Sequence, residues 1–207
     1  MMVRNIIFDL GNVILSIDTK LSEIEFARFG LTNFKRLYTL ASQEEIFDRL
    51  EIGKISPDEF YQEFRQITKV NLPDRIIKNC WNALILDFRK DTIELLQKLR
   101  VKYRTFLLSN TNEIHYDFYT EKLKNDFNID GLEELMEKAF FSHKIGMKKP
   151  HREVFDFVIS EADLVPDETL FIDDNKENVA EAKKLGIHTI LLRDNNLENL
   201  SIWKELL

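Results

Sequence analysis

The sequence predicts an α/β protein: a parallel β-sheet with helices on both faces and a helical insertion after its first strand. Three features point there. Five short apolar runs, Arg4–Phe8, Arg104–Leu108, Lys138–Phe141, Thr169–Ile172 and His188–Leu192, read as strands. Between the later runs, apolar residues recur at three- and four-residue steps, the period of helices. Such alternation makes a parallel sheet covered on both sides. From about Asp18 to Asp87 the alternation stops, and helix starts stand where strands would be.

The first run, Ile6-Ile7-Phe8, drives into Asp9 and a turn-prone Leu10-Gly11-Asn12. A continuous apolar run marks a strand buried on both faces. Residues just past its carboxyl end lie where open α/β sheets build their sites. The insertion opens helices at Ser42-Gln43-Glu44-Glu45 and Ser56-Pro57-Asp58-Glu59, both capping signatures. The first of these helices stops at Gly53, and the second places Phe60, Phe64 and Ile67 on one face. A small helical bundle is expected, acting as a lid or specificity element over the Asp9 loop, or as a structural elaboration.

Beyond it, Asp91-Thr92-Ile93-Glu94 resembles a capping box for a helix through Leu99. Pro150 suits the first position of the helix carrying Val154–Ile159. Gly186 closes the helix of Val179–Leu185 before the last strand. The segment Leu197–Leu207, with Trp203, fits either a packing helix or an oligomer contact.

Composition narrows the function. The chain has 207 residues, 44% hydrophobic, with 16 Phe, enough for one domain with a sizeable insertion or two small domains. No run of about eighteen apolar residues offers a membrane span. The N-terminal apolar stretch is short and ends in Asp9, unlike a signal peptide. A single cysteine rules out an internal disulfide framework and fits the cytoplasm, and Cys80 beside Trp81 reads as a small buried residue. The net charge of −7 argues against nucleic acid as a partner. It is compatible with a small phosphorylated ligand, because a metal ion and one or two cations can invert the local potential.

Four successive strand ends carry polar clusters: Asp9; Ser109-Asn110-Thr111-Asn112; Ser142 to Pro150, with Lys148 and Lys149; and Asp173-Asp174-Asn175, with Asn178 beyond. Parallel strands bring these to one edge of the sheet. The set suits phosphoryl transfer. A carboxylate can attack phosphorus, carboxylates can hold magnesium, and hydroxyl, amide and lysine donors can hold phosphate oxygens. Singly, each has a plainer reading: a turn former at Asp9, a turn with an N-cap at Ser109–Asn112, a solvated charge at Lys149. Asp173-Asp174 resists one, since adjacent like charges beyond a buried strand repel unless a cation compensates.

With these residues in order, the chain resembles the haloacid dehalogenase (HAD) superfamily, in the subgroup with a helical cap after the first motif. Phe8-Asp9-Leu10-Gly11-Asn12-Val13 looks like motif one, Leu108-Ser109-Asn110-Thr111 like motif two, Lys149-Pro150 like motif three, and Ile172-Asp173-Asp174 with Asn178 like motif four. The wording is especially similar to bacterial members of the α-D-glucose-1-phosphate phosphatase kind. The resemblance implies a Rossmann-like core of residues 1–17 and 88–207 with a cap of residues 18–87. It implies Asp9 as nucleophile and magnesium ligand, with the Gly11 carbonyl, Asp174 and nearby Asp173 at the metal. Ser109 and Asn110 would bind the phosphate, and Lys149, chosen over Lys148 by the Lys-Pro pairing, would neutralise it and orient Asp9. The implied activity is a magnesium-dependent phosphatase for a small phosphorylated metabolite, sugar phosphates favoured, working as a monomer or weak homodimer.

Gly11 departs from the pattern, because most such phosphatases carry a second aspartate there as acid and base. That leaves three readings: a comparatively acidic sugar hemiacetal that needs less acid help to leave, a substitute such as Asp18 or a metal-ordered water, or a weakly active or binding-only protein. A metal-independent 2-haloacid dehalogenase is the alternative enzyme, though it gives Asp173-Asp174 no purpose. The cap aromatics Phe47, Phe60, Tyr61 and Trp81 are expected in the bundle's own core. His143 and His151, flanking Lys149, are expected as exposed loop residues, and the four histidines show no metal-ligand spacing.

Overall fold

A computed structural model describes residues 2–32 and 45–207. Strand β1 (Asn5–Phe8) lies at the centre of a five-stranded parallel sheet. Its order is β5 (Lys138–Phe141), β4 (Arg104–Ser109), β1, β6 (Thr169–Asp173) and β7 (His188–Leu191). All five expected strands are present. Their pleat divides the core in two. Ile6 and Phe8 pack on one face with Leu96, Leu99, Tyr119 and Leu123, while Ile7 packs on the other with Val154, Phe155 and Ala182. The ladder continues past β1, where the Asp9 N–H donates to Ile172 O at 2.9 Å, so Asp9 is fixed at the sheet edge.

The insertion contains α1 (Thr19–Arg28), α2 (Ile46–Glu51), α3 (Pro57–Thr68) and α4 (Asp74–Asn82). The helix start expected at Ser42 lies outside the described residues. The Ser56 signature forms a true capping box: Glu59 N–H donates to Ser56 Oγ, and Ser56 N–H to the Glu59 carboxylate. A cap contributes about 1 kcal/mol, whereas burying Phe60 and Phe64 contributes roughly 1.5–3 kcal/mol each, so packing decides this helix. These side chains form a separate cluster with Phe26, Ile46, Leu50 and Ile77, joined by Ile114 from the core. Cys80 is buried there as expected, and burial pushes its thiol up to about 11. Gly53 ends α2 with φ +68°, and a Cβ there would come within 2.2 Å of the His143 carbonyl oxygen. Glycine is what lets α2 rest on the core.

Several expectations need correction. Residues up to Asp87 do include strand: β2 (Leu15–Ile17) pairs antiparallel with β3 (Ile85–Phe88), in a register that shifts between Leu15 and Ile17. Three and four residues with an irregular register leave no countable alternation. The Asp91–Glu94 box is not used. Helix α5 (Lys90–Lys102) starts earlier with Arg89 at its cap, and Thr92 Oγ1 instead donates to Glu198 at 3.0 Å. A helix not anticipated, α6 (Glu113–Phe127), follows β4, capped by Asn112, whose Oδ1 accepts from His115 N–H at 3.1 Å. Pro150 is not helical. The Lys149–Pro150 peptide is cis, and after the short α7 (Ser142–Ile145) the next helix, α8 (Arg152–Glu161), starts two residues past the proline.

Helix α9 (Lys176–Lys184) precedes β7, and Gly186 follows it with φ +84°. At the C-terminus, α10 (Trp203–Leu206) buries Trp203 in the main core, its Nε1 donating to Leu197 O at 2.6 Å, so the segment packs on its own chain. Among the described residues no helix is long and apolar enough to cross a membrane.

Candidate active site

The carboxyl ends of β1, β4 and β6, with the loop after α7, converge as expected. Lys149 reaches inward from that loop. Its Nζ donates to Asp9 Oδ1 at 2.6 Å and to Asp173 Oδ2 at 2.7 Å, with Lys149 2% exposed, Asp9 8% and Asp173 0%. The plainer reading of Lys149 as a solvated charge is therefore wrong. Burial alone would lower its pKa, but Asp9 and Asp173 outweigh that and raise it. Asp9 moves up to about 7, chiefly through burial with help from the Asp173 charge and against the pull of Lys149.

The two acids of strand β6 have different surroundings. Asp173 is saturated: Oδ1 accepts from Asn175 N–H at 2.7 Å, and Asn178 Nδ2 donates to both carboxylate oxygens at 3.1 and 3.0 Å. Asp174 is more open and accepts from Asn12 Nδ2 at 3.2 Å. Burial raises its carboxyl, and the Asp173 charge adds to that against the Asn12 hydrogen bond and the Lys149 charge. Carboxylate oxygens of Asp9, Asp173 and Asp174 all lie within 4.8 Å of one another. Three carboxylates facing one ammonium leave negative charge in excess, and hard oxygen donors of this kind suit a magnesium ion.

Motif-two residues hold the loop of Lys149. Ser109 is buried at the end of β4. The Asn110 amide is committed to Lys149, with Oδ1 accepting its N–H at 2.9 Å and Nδ2 donating to its carbonyl at 2.8 Å. Ser142 Oγ does the same for Thr111, accepting from its N–H and donating to its carbonyl, both at 2.8 Å. Sequence reasoning missed Asn12. It turns in the left-handed region (φ +55°), tolerable for asparagine, and links Asp174 to Ile17 N–H and Asn195. Gly11 lies under the ribbon, where a Cβ would meet Ile17 Cδ1 at 3.1 Å. Asp18 is exposed and committed to the Lys20 N–H as the cap of α1.

Beside this cluster a chamber of about 740 Å³ opens between the insertion and the core, bounded by residues including Ile17, Glu23, Phe47, Trp81, Asn110 and Lys148. Phe60 and Tyr61 are core residues as expected, but Phe47 and Trp81 also line this chamber, a correction. Lys148 crosses to α2, 2.7 Å from Asp48 and 2.9 Å from Glu51. His115, also missed, lines the chamber from the first turn of α6. His151 is exposed, but His143 is half-buried, and burial lowers it to about 4.

Residues 3–186 match the haloacid dehalogenase-like hydrolase family. The chain is 32% identical to the D-ribitol-5-phosphate phosphatase of Bacteroides thetaiotaomicron, over 99% of this chain and 96% of that protein. It superposes with a TM-score of 0.84 on a HAD family enzyme of the same organism solved in complex with magnesium and inorganic phosphate, at 34% identity, covering 93% of this chain and 95% of the other. The L-2-haloacid dehalogenase of Xanthobacter autotrophicus shares the fold alone, with a TM-score of 0.58 at 16% identity over 91% of this chain and 76% of that one.

Proposed function

The chain belongs to the haloacid dehalogenase-like hydrolases, and on that footing we propose that it is a magnesium-dependent phosphatase of a sugar or sugar-alcohol monophosphate, working through an aspartyl-phosphate. The observation that carries this reading is the Lys149 bridge from Asp9 to Asp173, with Asp174 alongside. Residues 18–87 are read as its cap and residues 1–17 and 88–207 as its core. The D-ribitol-5-phosphate relative supports the substrate class.

Lys149 holds Asp9 Oδ1, which leaves Oδ2 to attack phosphorus. The bond from phosphorus to the leaving alcohol breaks, and a phosphoryl–Asp9 anhydride forms. The alcohol takes its proton from water, since Gly11 offers no side chain. Water then attacks the same phosphorus, releasing phosphate and restoring Asp9. Ser109 and the backbone of Asn110, with Lys149, bind the phosphoryl oxygens. Asp173 keeps Lys149 charged and aimed. Asp9, Asp174 and the Gly11 carbonyl would hold magnesium, which when bound offsets charge on the phosphoryl oxygens.

An assay of phosphate release over sugar and sugar-alcohol monophosphates, nucleotides and flavin mononucleotide, with magnesium and with chelator, tests this. Turnover that needs magnesium and disappears in Asp9→Asn is expected. Full activity in Asp9→Asn overturns it, and halide release from 2-haloacids in chelator would favour the dehalogenase instead.

A further inference from the structure

The chamber carries a side chain that phosphoryl transfer does not use. The ring of His115 stacks on Trp81, with centroids 5.4 Å apart and planes 8° apart, and Trp81 stacks in turn on Phe47 at 5.0 Å and 6°. The stack runs from the insertion to the core, so the imidazole is held flat and cannot turn freely. Its Nδ1 lies 2.8 Å from Asn82 Oδ1. A carbonyl oxygen only accepts, so with the Asn82 amide in this orientation Nδ1 carries the proton. Burial keeps the ring neutral, and the lone pair therefore sits on Nε2. Among the described residues Nε2 has no protein partner, and the ring borders the chamber.

The charges on the walls restrict what this lone pair can meet. Lys148 is the one ammonium there among the described residues, and Asp48 and Glu51 already pair with it. Glu23 adds a third carboxylate. A second phosphate or carboxylate on the substrate would find no free cation and net repulsion. A hydroxyl would find an acceptor above an aromatic surface, in about 740 Å³, room for a five- or six-carbon chain.

We propose that His115 is a specificity-determining residue: its Nε2 accepts a hydrogen bond from a hydroxyl of an uncharged, polyhydroxylated leaving group, and Asn82 and Trp81 fix it for that purpose. This rests on the phosphatase reading above.

The test compares the wild type, His115→Phe, which keeps the stacked ring but has no acceptor, and His115→Gln, which restores one. Each is assayed with magnesium on a pentitol monophosphate and on p-nitrophenyl phosphate, which has no hydroxyl to bind. His115→Phe should lower kcat/KM on the pentitol phosphate by about 10- to 100-fold, mostly through KM, and change the aryl ester by less than about threefold. His115→Gln should recover part of the loss. An equal loss on both substrates, or none on the pentitol phosphate, overturns the proposal. Should the wild type hydrolyse neither, the phosphatase reading falls, and calorimetric binding of the pentitol phosphate decides about His115. Binding weakened at least tenfold in His115→Phe, with inorganic phosphate unaffected, supports the role, and unchanged binding overturns it.

Discussion

Asn110 brackets the backbone of Lys149, taking its N–H at 2.9 Å and giving to its carbonyl at 2.8 Å. The end of β4 therefore sets where the lysine starts, and Asp9 and Asp173 set where it ends. Asn110→Ala removes both backbone bonds at once and leaves a partly buried N–H and C=O to find other partners. It should cost about 1–3 kcal/mol of stability. Displacing Lys149 by even about 1 Å should also lower kcat up to about a hundredfold. Urea denaturation and kcat on p-nitrophenyl phosphate measure the two effects. An unchanged kcat would show that Lys149 holds its place without Asn110.

Asp9 and His115 tilt stability with pH in opposite directions. Asp9, pushed up to about 7 by burial, keeps a proton in the folded metal-free chain that the unfolded chain releases near 4. Its stabilisation is full below the unfolded value and is lost as pH rises to about 7. His115, lowered by burial to about 3, refuses a proton that the unfolded chain takes up near 6.5. Its stabilisation is full above that value and is lost as pH falls to about 3. Each slope is at most about 1.4 kcal/mol per pH unit. Relative to wild type in chelator, Asp9→Asn should make stability rise more steeply between pH 4.5 and 6.5, and His115→Phe should do the reverse. His143 lies outside the acid cluster and drops out of the comparison, whereas Asp174 belongs to it, so the Asp9→Asn slope reads the two carboxyls together. Denaturation midpoints that shift equally at every pH would contradict both assignments.

Magnesium must displace the protons that burial keeps on this cluster, because carboxylates bind it ionised. Asp9 near 7 and the raised Asp174 are the groups concerned. Calorimetry at pH 6 in buffers of different ionisation heat should show protons released on binding, fewer at pH 8. Asp174→Asn should weaken magnesium at least tenfold. Asp173→Asn should chiefly destabilise the fold, since Asp173 anchors Lys149, Asn175 and Asn178. Equal magnesium affinity in wild type and Asp174→Asn would remove Asp174 from the metal site.

The three inner strands were legible because burial on both faces writes them as apolar runs, as in Ile6-Ile7-Phe8, and the less buried edge strands β5 and β7 still end in apolar pairs. The polar clusters at their ends were legible because parallel strands bring such ends together. Helix α6 was not, since Phe118 is exposed and Tyr116 and Phe127 only partly buried, which blurs the period of the buried Ile114, Tyr119 and Leu123. Nor were Asn12 and His115, whose roles depend on partners far away in sequence: Asn12 meets Asp174 and Asn195, and His115 meets Asn82. A local pattern carries no trace of such pairs. The aromatics of the insertion show a finer limit. Composition says they are buried, but only the packing of α2 and α4 decides that Phe47 and Trp81 also border the chamber.

Gly11 stands where the family resemblance leads one to expect a second aspartate, and the local geometry leaves room for one. A Cβ there would press at 3.1 Å on Ile17 Cδ1, the tip of a flexible side chain, and the glycine has no left-handed φ to forbid it. Gly11→Asp should therefore fold, with Ile17 yielding by a few tenths of an ångström. A general acid accelerates the loss of an alkoxide, typically by 10²–10⁴-fold, but hardly that of p-nitrophenolate, which leaves unprotonated near neutral pH. If the wild type lacks this acid, the substitution should raise kcat on a sugar-alcohol monophosphate by about tenfold or more and leave p-nitrophenyl phosphate within about threefold. An unchanged ratio of the two rates would mean that the leaving alcohol already receives its proton by another route, with Gly11 no handicap to that chemistry.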